Sequence, residues 1–236
     1  MIACDLHIHS IRSTCGFHTL LEIVSIVRSR GLKAFALTDH SPEHETPRAH
    51  FSVMLRRMPP VVDWIRVFKG IEATILSEEG DLGIPRFEGA PFEVILAGLH
   101  DYGEFSGGSS REKNTAAVIN ALRKNPDIKV LTHPFYRNFP LDLDAITDVA
   151  LETDTALEVN NSYLLTGKAD TDALAHMLDH AGEKGTMLCI NSDGHMFNEI
   201  GIFDHALDVL ESRGIDTYNI VNRTMESTLA FLGLEE

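Results

Sequence analysis

Short apolar runs alternate along the chain with longer stretches whose apolar residues recur every three or four positions. The short runs predict strands at Ile2–Leu6, Ala34–Leu37, Ile65–Phe68, Val94–Ala97, Lys129–Leu131, Ala156–Val159 and Met187–Ile190, with a weaker one at Tyr218–Val221. Helical spacing falls between them. Leu20, Ile23, Val24 and Val27 mark Thr19–Arg30, and Val118, Ile119 and Leu122 mark Asn114–Lys124. Leu174–Glu183 and Asp204–Arg213 complete the set, the latter through Leu207, Val209 and Leu210. Gly31, Gly185 and Gly214 each follow a helical run, where a left-handed terminating residue is expected. Such alternation implies parallel strands with crossover helices. Seven or eight units in 236 residues fit a closed or distorted α/β barrel better than an open sheet. The expectation is one domain over residues 1–236. Three loops rich in Pro, Gly and charge, Ser41–Arg48, Ser77–Pro91 and Asp101–Arg111, follow strands and would gather over one end.

The polar residues sharpen this pattern. The first strand runs into Asp5-Leu6-His7-Ile8-His9, the second ends Leu37-Thr38-Asp39-His40, and the third ends Gly70-Ile71-Glu72. The next two lead to Leu99-His100 and Thr132-His133-Pro134, and the last two to Glu158-Val159-Asn160-Asn161-Ser162 and Asn191-Ser192-Asp193-Gly194-His195. Every apolar strand delivers a polar group at its C-terminal end, the face on which parallel barrels build active sites. Alternate residues of an extended segment point the same way, so His7 and His9 can serve one ion, and Asp193 and His195 share that spacing. Burying so many imidazoles and carboxylates with no cation would leave a large unpaired polar penalty. A cluster of divalent metals removes it. Imidazole and carboxylate together suit zinc first, with manganese or iron as alternatives.

Composition limits the partners. The formal net charge is −15, which disfavours a nucleic-acid backbone held by general electrostatics. It is compatible with an anionic substrate only if bound cations reverse the sign locally. No stretch approaches the roughly 18 apolar residues of a membrane span, and the first residues carry no leader pattern, so a soluble cytoplasmic protein is expected. Cys4, Cys15 and Cys189 are an odd number with no close spacing, which argues against a disulfide framework.

In this order, the motifs Asp5-Leu6-His7-Ile8-His9-Ser10, Leu37-Thr38-Asp39-His40, Gly70-Ile71-Glu72-Ala73, Ala97-Gly98-Leu99-His100, Thr132-His133-Pro134 and Asn191-Ser192-Asp193-Gly194-His195 resemble the polymerase-and-histidinol-phosphatase (PHP) superfamily across essentially the whole chain. The stretch from Glu158 to Ser162 resembles its stand-alone bacterial, YcdX-like phosphatase branch. The resemblance implies a distorted TIM-like (βα)7 barrel holding two or three metal ions. It implies one metal on His7, His9, Glu72 and Asp193, a second on Glu72, His100 and His133, and a third on His40, His195 and a ligand from the loop after the first strand. That last ligand departs from the pattern. Cys15 stands where the family usually has a histidine, and His18 follows three residues later. Cys15, His18 or neither could complete the third position.

The expected activity is hydrolysis of a small-molecule phosphomonoester by a metal-activated water. Asp193 or His195 could move a proton, and Arg12 and Arg137 are candidates for gripping phosphate. Asn161 could bind substrate or orient a ligand, and Asp39 could back a ligand histidine. His44 and His50 fall in a solvated loop or lid, and His176, His180 and His205 in helices. The alternatives are a histidinol-phosphate phosphatase, a phosphodiesterase or nuclease, and a non-catalytic metal-binding module.

Overall fold

The structure is a computed structural model that describes residues 2–41, 55–84, 92–215 and 219–235. Eight strands are present among them: β1 (Cys4–Ile8), β2 (Ala34–Leu37), β3 (Val61–Val62), β4 (Ile65–Thr74), β5 (Val94–Gly98), β6 (Ile128–Leu131), β7 (Ala156–Asn160) and β8 (Leu188–Asn191). Seven form a parallel sheet in the order β1-β2-β4-β5-β6-β7-β8, and β3 pairs antiparallel with β4 as a short hairpin. The ends of the sheet meet. Ile8 bridges Gly194, with the His9 N–H donating to Gly194 O at 3.0 Å and the Gly194 N–H to His7 O at 3.3 Å. Lower in this seam Asn222 stands in for ladder bonds, donating to Cys4 O and Ile190 O while its Oδ1 accepts from Ile190 N. The result is a TIM-like α/β barrel, distorted where β8 returns to β1.

Helices α1 (Leu20–Ser29), α2 (Arg111–Lys124), α3 (Leu143–Glu152), α4 (Asn161–Leu165), α5 (Thr171–Lys184), α6 (Asp204–Ser212) and α7 (Met225–Leu232) lie outside the sheet. Helices α2 and α5 begin three residues earlier than apolar spacing predicts, because Ser110 and Asp170 accept hydrogen bonds from Lys113 N and Ala173 N. Helices α3, α4 and α7 are not among the predicted ones: α4 has only five residues and α7 eight, whereas α3 does carry Leu143, Ile146, Val149 and Ala150 at helical spacing and buries them. Strand β4 runs to Thr74, so Glu72 lies within a strand rather than after one. Of the weak strand expected at Tyr218–Val221, Ile220 makes a single bridge to Leu188, and Tyr218 lies outside the described residues. His44, His50 and most of the loop around them also lie outside the described residues. Among the described residues no helix is long and apolar enough to cross a membrane.

Two apolar layers follow from strand alternation. Cys4, Leu6, Ala34, Ala36, Phe68, Val94, Leu96, Val130, Ala156 and Cys189 pack together inside the barrel, closed below by Val221, Leu229 and Leu232. Ile8, Phe35, Val67, Leu131, Val159 and Ile190 face the helices. Carried upward at a period of two, the inward positions become Thr38, Gly70, Glu72, Gly98, Glu158, Asn160 and Asn191. The barrel is therefore apolar at its base and polar at the C-terminal ends of its strands.

Candidate metal centre

Two irregularities bring further side chains into this polar layer. On β1 the inward residues are Cys4 and Leu6, and strict alternation would turn Ile8 inward. The β1–β2 register shifts between Asp5 and Ile8, Ile8 packs outward, and His7 and His9 turn inward instead. On β6 the alternation would send Thr132 inward and His133 away. His133 adopts φ 36°, and its ring returns to the centre. Asp193 also has a left-handed backbone, φ 51°. Asp and His enter this region more readily than most side chains but not without cost, so a modest strain is held where donors must converge. Gly98 makes room for this, since a Cβ there would lie 2.1 Å from Thr132 Oγ1 and 3.1 Å from the His133 ring.

Four donors converge at the middle of the centre. His7 Nε2 lies 3.4 Å from Glu72 Oε2 and 3.4 Å from Asp193 Oδ1, and His9 Nε2 lies 3.3 Å from each. The two Nε2 atoms are 3.1 Å apart. Their tautomers are fixed from behind. His7 Nδ1 donates to Glu158 Oε1 at 2.7 Å. His9 Nδ1 meets Ser13 Oγ at 3.1 Å, and that hydroxyl already donates to Asp39 Oδ1 at 3.0 Å, so the imidazole must be the donor. Both Nε2 atoms thus face each other and two carboxylates, a crowding that positive charge must relieve, either as protons on the rings or as a cation between them. Donors about 2.1 Å from one tetrahedral ion stand about 3.4 Å apart, which is the spacing found here.

Glu72 joins this group to the next. Its Oε1 is 3.1 Å from His100 Nε2 and 3.3 Å from His133 Nε2. His133 stacks on Tyr163 with ring centres 4.5 Å apart. On the other side His40 Nδ1 lies 3.0 Å from Glu72 Oε2. The potential donors of His9, Cys15, His40 and His195 form a further group, all within 4.8 Å of one another.

The electrostatics point to a cation. Burial opposes charge on His9, yet its hydrogen bonds to the Asp193 and Glu72 carboxylates outweigh it and push its pKa up to about 9. His7 likewise lies well above its ordinary value: burial works against it, and Glu158, Asp193 and Glu72 overcome that. Burial would raise Glu72, but His7, His100 and His40 hold it well below the usual carboxylate range. His100, dominated by burial, falls to about 4. His195 falls too, through burial and the neighbouring His9. A field that keeps protons on His7 and His9 attracts a divalent ion to the same place.

Glu158 is the residue that sequence reasoning passed over. It is fully buried; its Oε1 accepts from His7 and Asn191, and its Oε2 from His133 N and Asn160 Nδ2. A lone charge inside the apolar run Ala156–Val159 was its signal. Asn160 donates to Asp193 Oδ2 at 3.1 Å. Its neighbour Asn161, on the other side of the alternation, accepts from Ala206 N at the start of α6 and does not line the cleft.

Above the centre opens a cleft of about 410 Å³, lined in part by Cys15, His40, Glu72, His133, Tyr163, Lys168, Asp193 and His195. Arg12 and Arg137 are not among its lining residues. Arg137 donates to Ala169 O and faces a neighbouring pocket. Lys168 is the one Lys or Arg among the described residues lining the cleft, its Nζ 5.1 Å over the Tyr163 ring. His18 packs edge-on against Phe197 and joins none of the donor groups. His176 pairs with Asp144, and His180 approaches Asp144 and Asp148, on the helical exterior.

No family model matches the chain. It is 36% identical over 98% of its length to a probable phosphatase of Syntrophotalea carbinolica, covering 95% of that protein. A probable phosphatase of Shewanella frigidimarina is 31% identical over 97% of the chain and 92% of its own length. Among solved structures, histidinol phosphate phosphatase of Lactococcus lactis, complexed with zinc, L-histidinol and phosphate, superposes with a TM-score of 0.60. It does so at 16% identity, over 91% of this chain and 94% of that one.

Proposed function

The chain belongs to the PHP superfamily of metal-dependent phosphoesterases, and from that premise we propose that it hydrolyses a small phosphomonoester at a centre holding at least two zinc-class ions. The observation carrying this reading is the convergence of His7, His9, Glu72 and Asp193 with both imidazole Nε2 atoms turned inward. These four would hold one ion. Glu72, His100 and His133 would hold the next, with Glu72 giving one oxygen to each. Bound divalent ions supply an acidified water nucleophile and neutralise phosphate charge.

The chain's own residues do the rest. Glu158 orients His7 through Nδ1 and the His133 main chain through its N–H. Asp39 holds Ser13, and Ser13 holds His9. Asn160 orients Asp193. Lys168 offers positive charge at the mouth, where an arriving phosphate would meet it. Asp193 is kept anionic, since the surrounding histidines more than offset its burial, so it accepts rather than donates a proton. His195, facing the cleft and neutral at pH 7, is the group placed to exchange a proton there.

A nuclease reading lacks support, because the cleft carries a single lysine and the chain a net charge of −15. The test is a phosphomonoester panel that includes histidinol phosphate, run on zinc-, manganese- and iron-loaded protein with metal content measured in parallel. Hydrolysis of at least one monoester with two or more ions bound is expected. Fewer than two tightly bound ions and no hydrolysis across the panel would overturn the proposal.

A further inference from the structure

The base of the barrel, at the end away from the metal centre, carries an opening of its own. Ile2, Ala3, Val61, Trp64, Met225 and Leu229 line a groove of about 660 Å³ there, beside the N-terminal starts of β1, β2 and β4. At its edge stands Trp64, the one tryptophan of the chain and 92% exposed. Val61, on the same groove, is 53% exposed.

Folding gains little from that tryptophan and is opposed by its backbone. Val62 pairs with Ile65 and Val61 with Arg66, so Asp63 and Trp64 form a two-residue hairpin loop. Both are left-handed, with φ 49° and 69°. Such loops usually take Asn-Gly or Asp-Gly, because glycine meets the second position without strain. Asp63 fits that pattern and lies 3.5 Å from Arg28 across the surface. Trp64 does not fit it, since a bulky side chain at positive φ is an outlier. A strained turn that holds a large apolar ring in water is accounted for by a contact made outside the folded chain.

The same face supplies the other half of that contact. Grooves of roughly 300–1,000 Å³ accept whole drug-sized ligands, so this one is ample for an indole. A projecting ring and a groove that can receive it lie side by side, which is what a two-fold pair requires. The charges around the groove are of both signs, Lys33, Arg66 and Arg223 with Glu226 and Glu235, although the chain as a whole carries −15. Arg66 is held by Glu93, but Lys33 and Glu235 make no ion pair among the described residues. We infer that the base of the barrel is a self-association face, on which Trp64 of each copy enters the groove of a second copy. Elsewhere the net negative charge sets copies against each other. Here Lys33 of one copy can face Glu235 of the other, so like charges need not oppose. The metal clefts, at the far ends of the two barrels, stay open.

The test follows full-length protein over a wide range of concentration, by sedimentation and by tryptophan fluorescence. The mass of wild type should rise from one chain to two, and the emission of its single tryptophan should move to shorter wavelength over the same range. Trp64→Gly relieves the strained turn, so this variant should fold at least as stably as wild type and keep its activity. Its Kd for self-association should rise by on the order of 100-fold, as loss of a central aromatic anchor does. Val61→Glu adds a charge at the groove and keeps the tryptophan; it should stay monomeric, with Trp64 emission fixed at the long-wavelength position. Monomeric wild type at every concentration would overturn the inference. So would a Kd unchanged by Trp64→Gly, or an emission shift that Val61→Glu leaves intact.

Discussion

The inner and outer donor sets occupy one cleft but are built differently. The inner four side chains are at most 7% exposed, and each is braced: His7 by Glu158, His9 by Ser13 and Asp39, Asp193 by Asn160, and Glu72 by three further histidines. The outer set is looser, with His195 25% exposed and Cys15 half-buried on a turn. Buried charge without a partner is expensive, so a set this deep must arrive fully paired. An outer set that water can reach tolerates substitution, and one of its members is the thiol Cys15. The inner centre is thus expected to govern whether the protein hydrolyses anything, and the outer set to have the smaller effect.

The harshest way to break that division is Glu72→Gln. The substitution keeps the shape but removes the charge shared by His7, His9, His40, His100 and His133. We expect kcat/KM to fall by on the order of 10³-fold or more, as loss of a central electrostatic group typically does, with inner ions lost from metal analysis. Unchanged metal content would show that Glu72 is not the shared ligand. Glu158→Gln is milder, because it acts on the donors only from behind, through His7, the His133 main chain and Asn160. Disturbing such a bracing carboxylate weakens metal affinity by about 10–100-fold, measurable by competition with a chelator.

How legible each set was follows from the same contrast. Strand alternation announced a polar layer at the C-terminal ends of the strands, and with it Glu72, His100 and Asp193. Alternation alone misplaces His7, His9 and His133, since a register shift on β1 and a left-handed backbone at residue 133 reverse their direction. Neither event has a sequence signal strong enough to predict. Glu158 was readable as a charge in an apolar run but was not weighed. The cations near the cleft were hard to place for a different reason. Arg12 and Arg137 are close to ligands in sequence, while Lys168 reaches the cleft from the turn after α4, a helix too short to announce itself. Cys15 and His18 differ in surroundings only once the chain is folded, since the turn closed by Gly16 puts one at the cleft and the other against Phe197.

Proton linkage sharpens the comparison further. His9, with its pKa raised to about 9, and His7, raised well above its ordinary value, hold protons at pH 7 where an inner ion would bind. Metal uptake must displace those protons, so inner-site affinity should rise by about tenfold per pH unit for each proton displaced. The rise continues toward pH 9 and levels off above it. His195, with its pKa lowered, has no proton to give up at pH 7, so that ligand adds no such slope to the outer position. The sign for the metal-free protein is the opposite: stability from a raised histidine pKa is fully present below about 6.5 and lost as pH climbs through 9. Isothermal titrations at pH 7, 8 and 9 would read the first effect, and thermal unfolding of chelated protein the second. Inner affinity that is flat with pH would mean that the lone pairs are already free of protons.

The smallest expected effect belongs to a residue in neither set. Lys168 is exposed, touches no donor group, and stands over Tyr163, which in turn stacks on His133. A solvent-facing ammonium attracts phosphate through high dielectric, where a single pair contributes only modestly. Lys168→Ala should therefore raise KM several-fold, up to about tenfold, leave kcat within about twofold, and leave metal content unchanged. Added salt should erase most of the difference between variant and wild type, because screening already removes what the lysine supplies. Lys168→Arg should restore KM if charge alone matters at the mouth. A large fall in kcat on Lys168→Ala would mean that the lysine acts on the reacting phosphate after binding. The division between a metal-holding interior and a steering rim would then have to be redrawn with Lys168 on the inside.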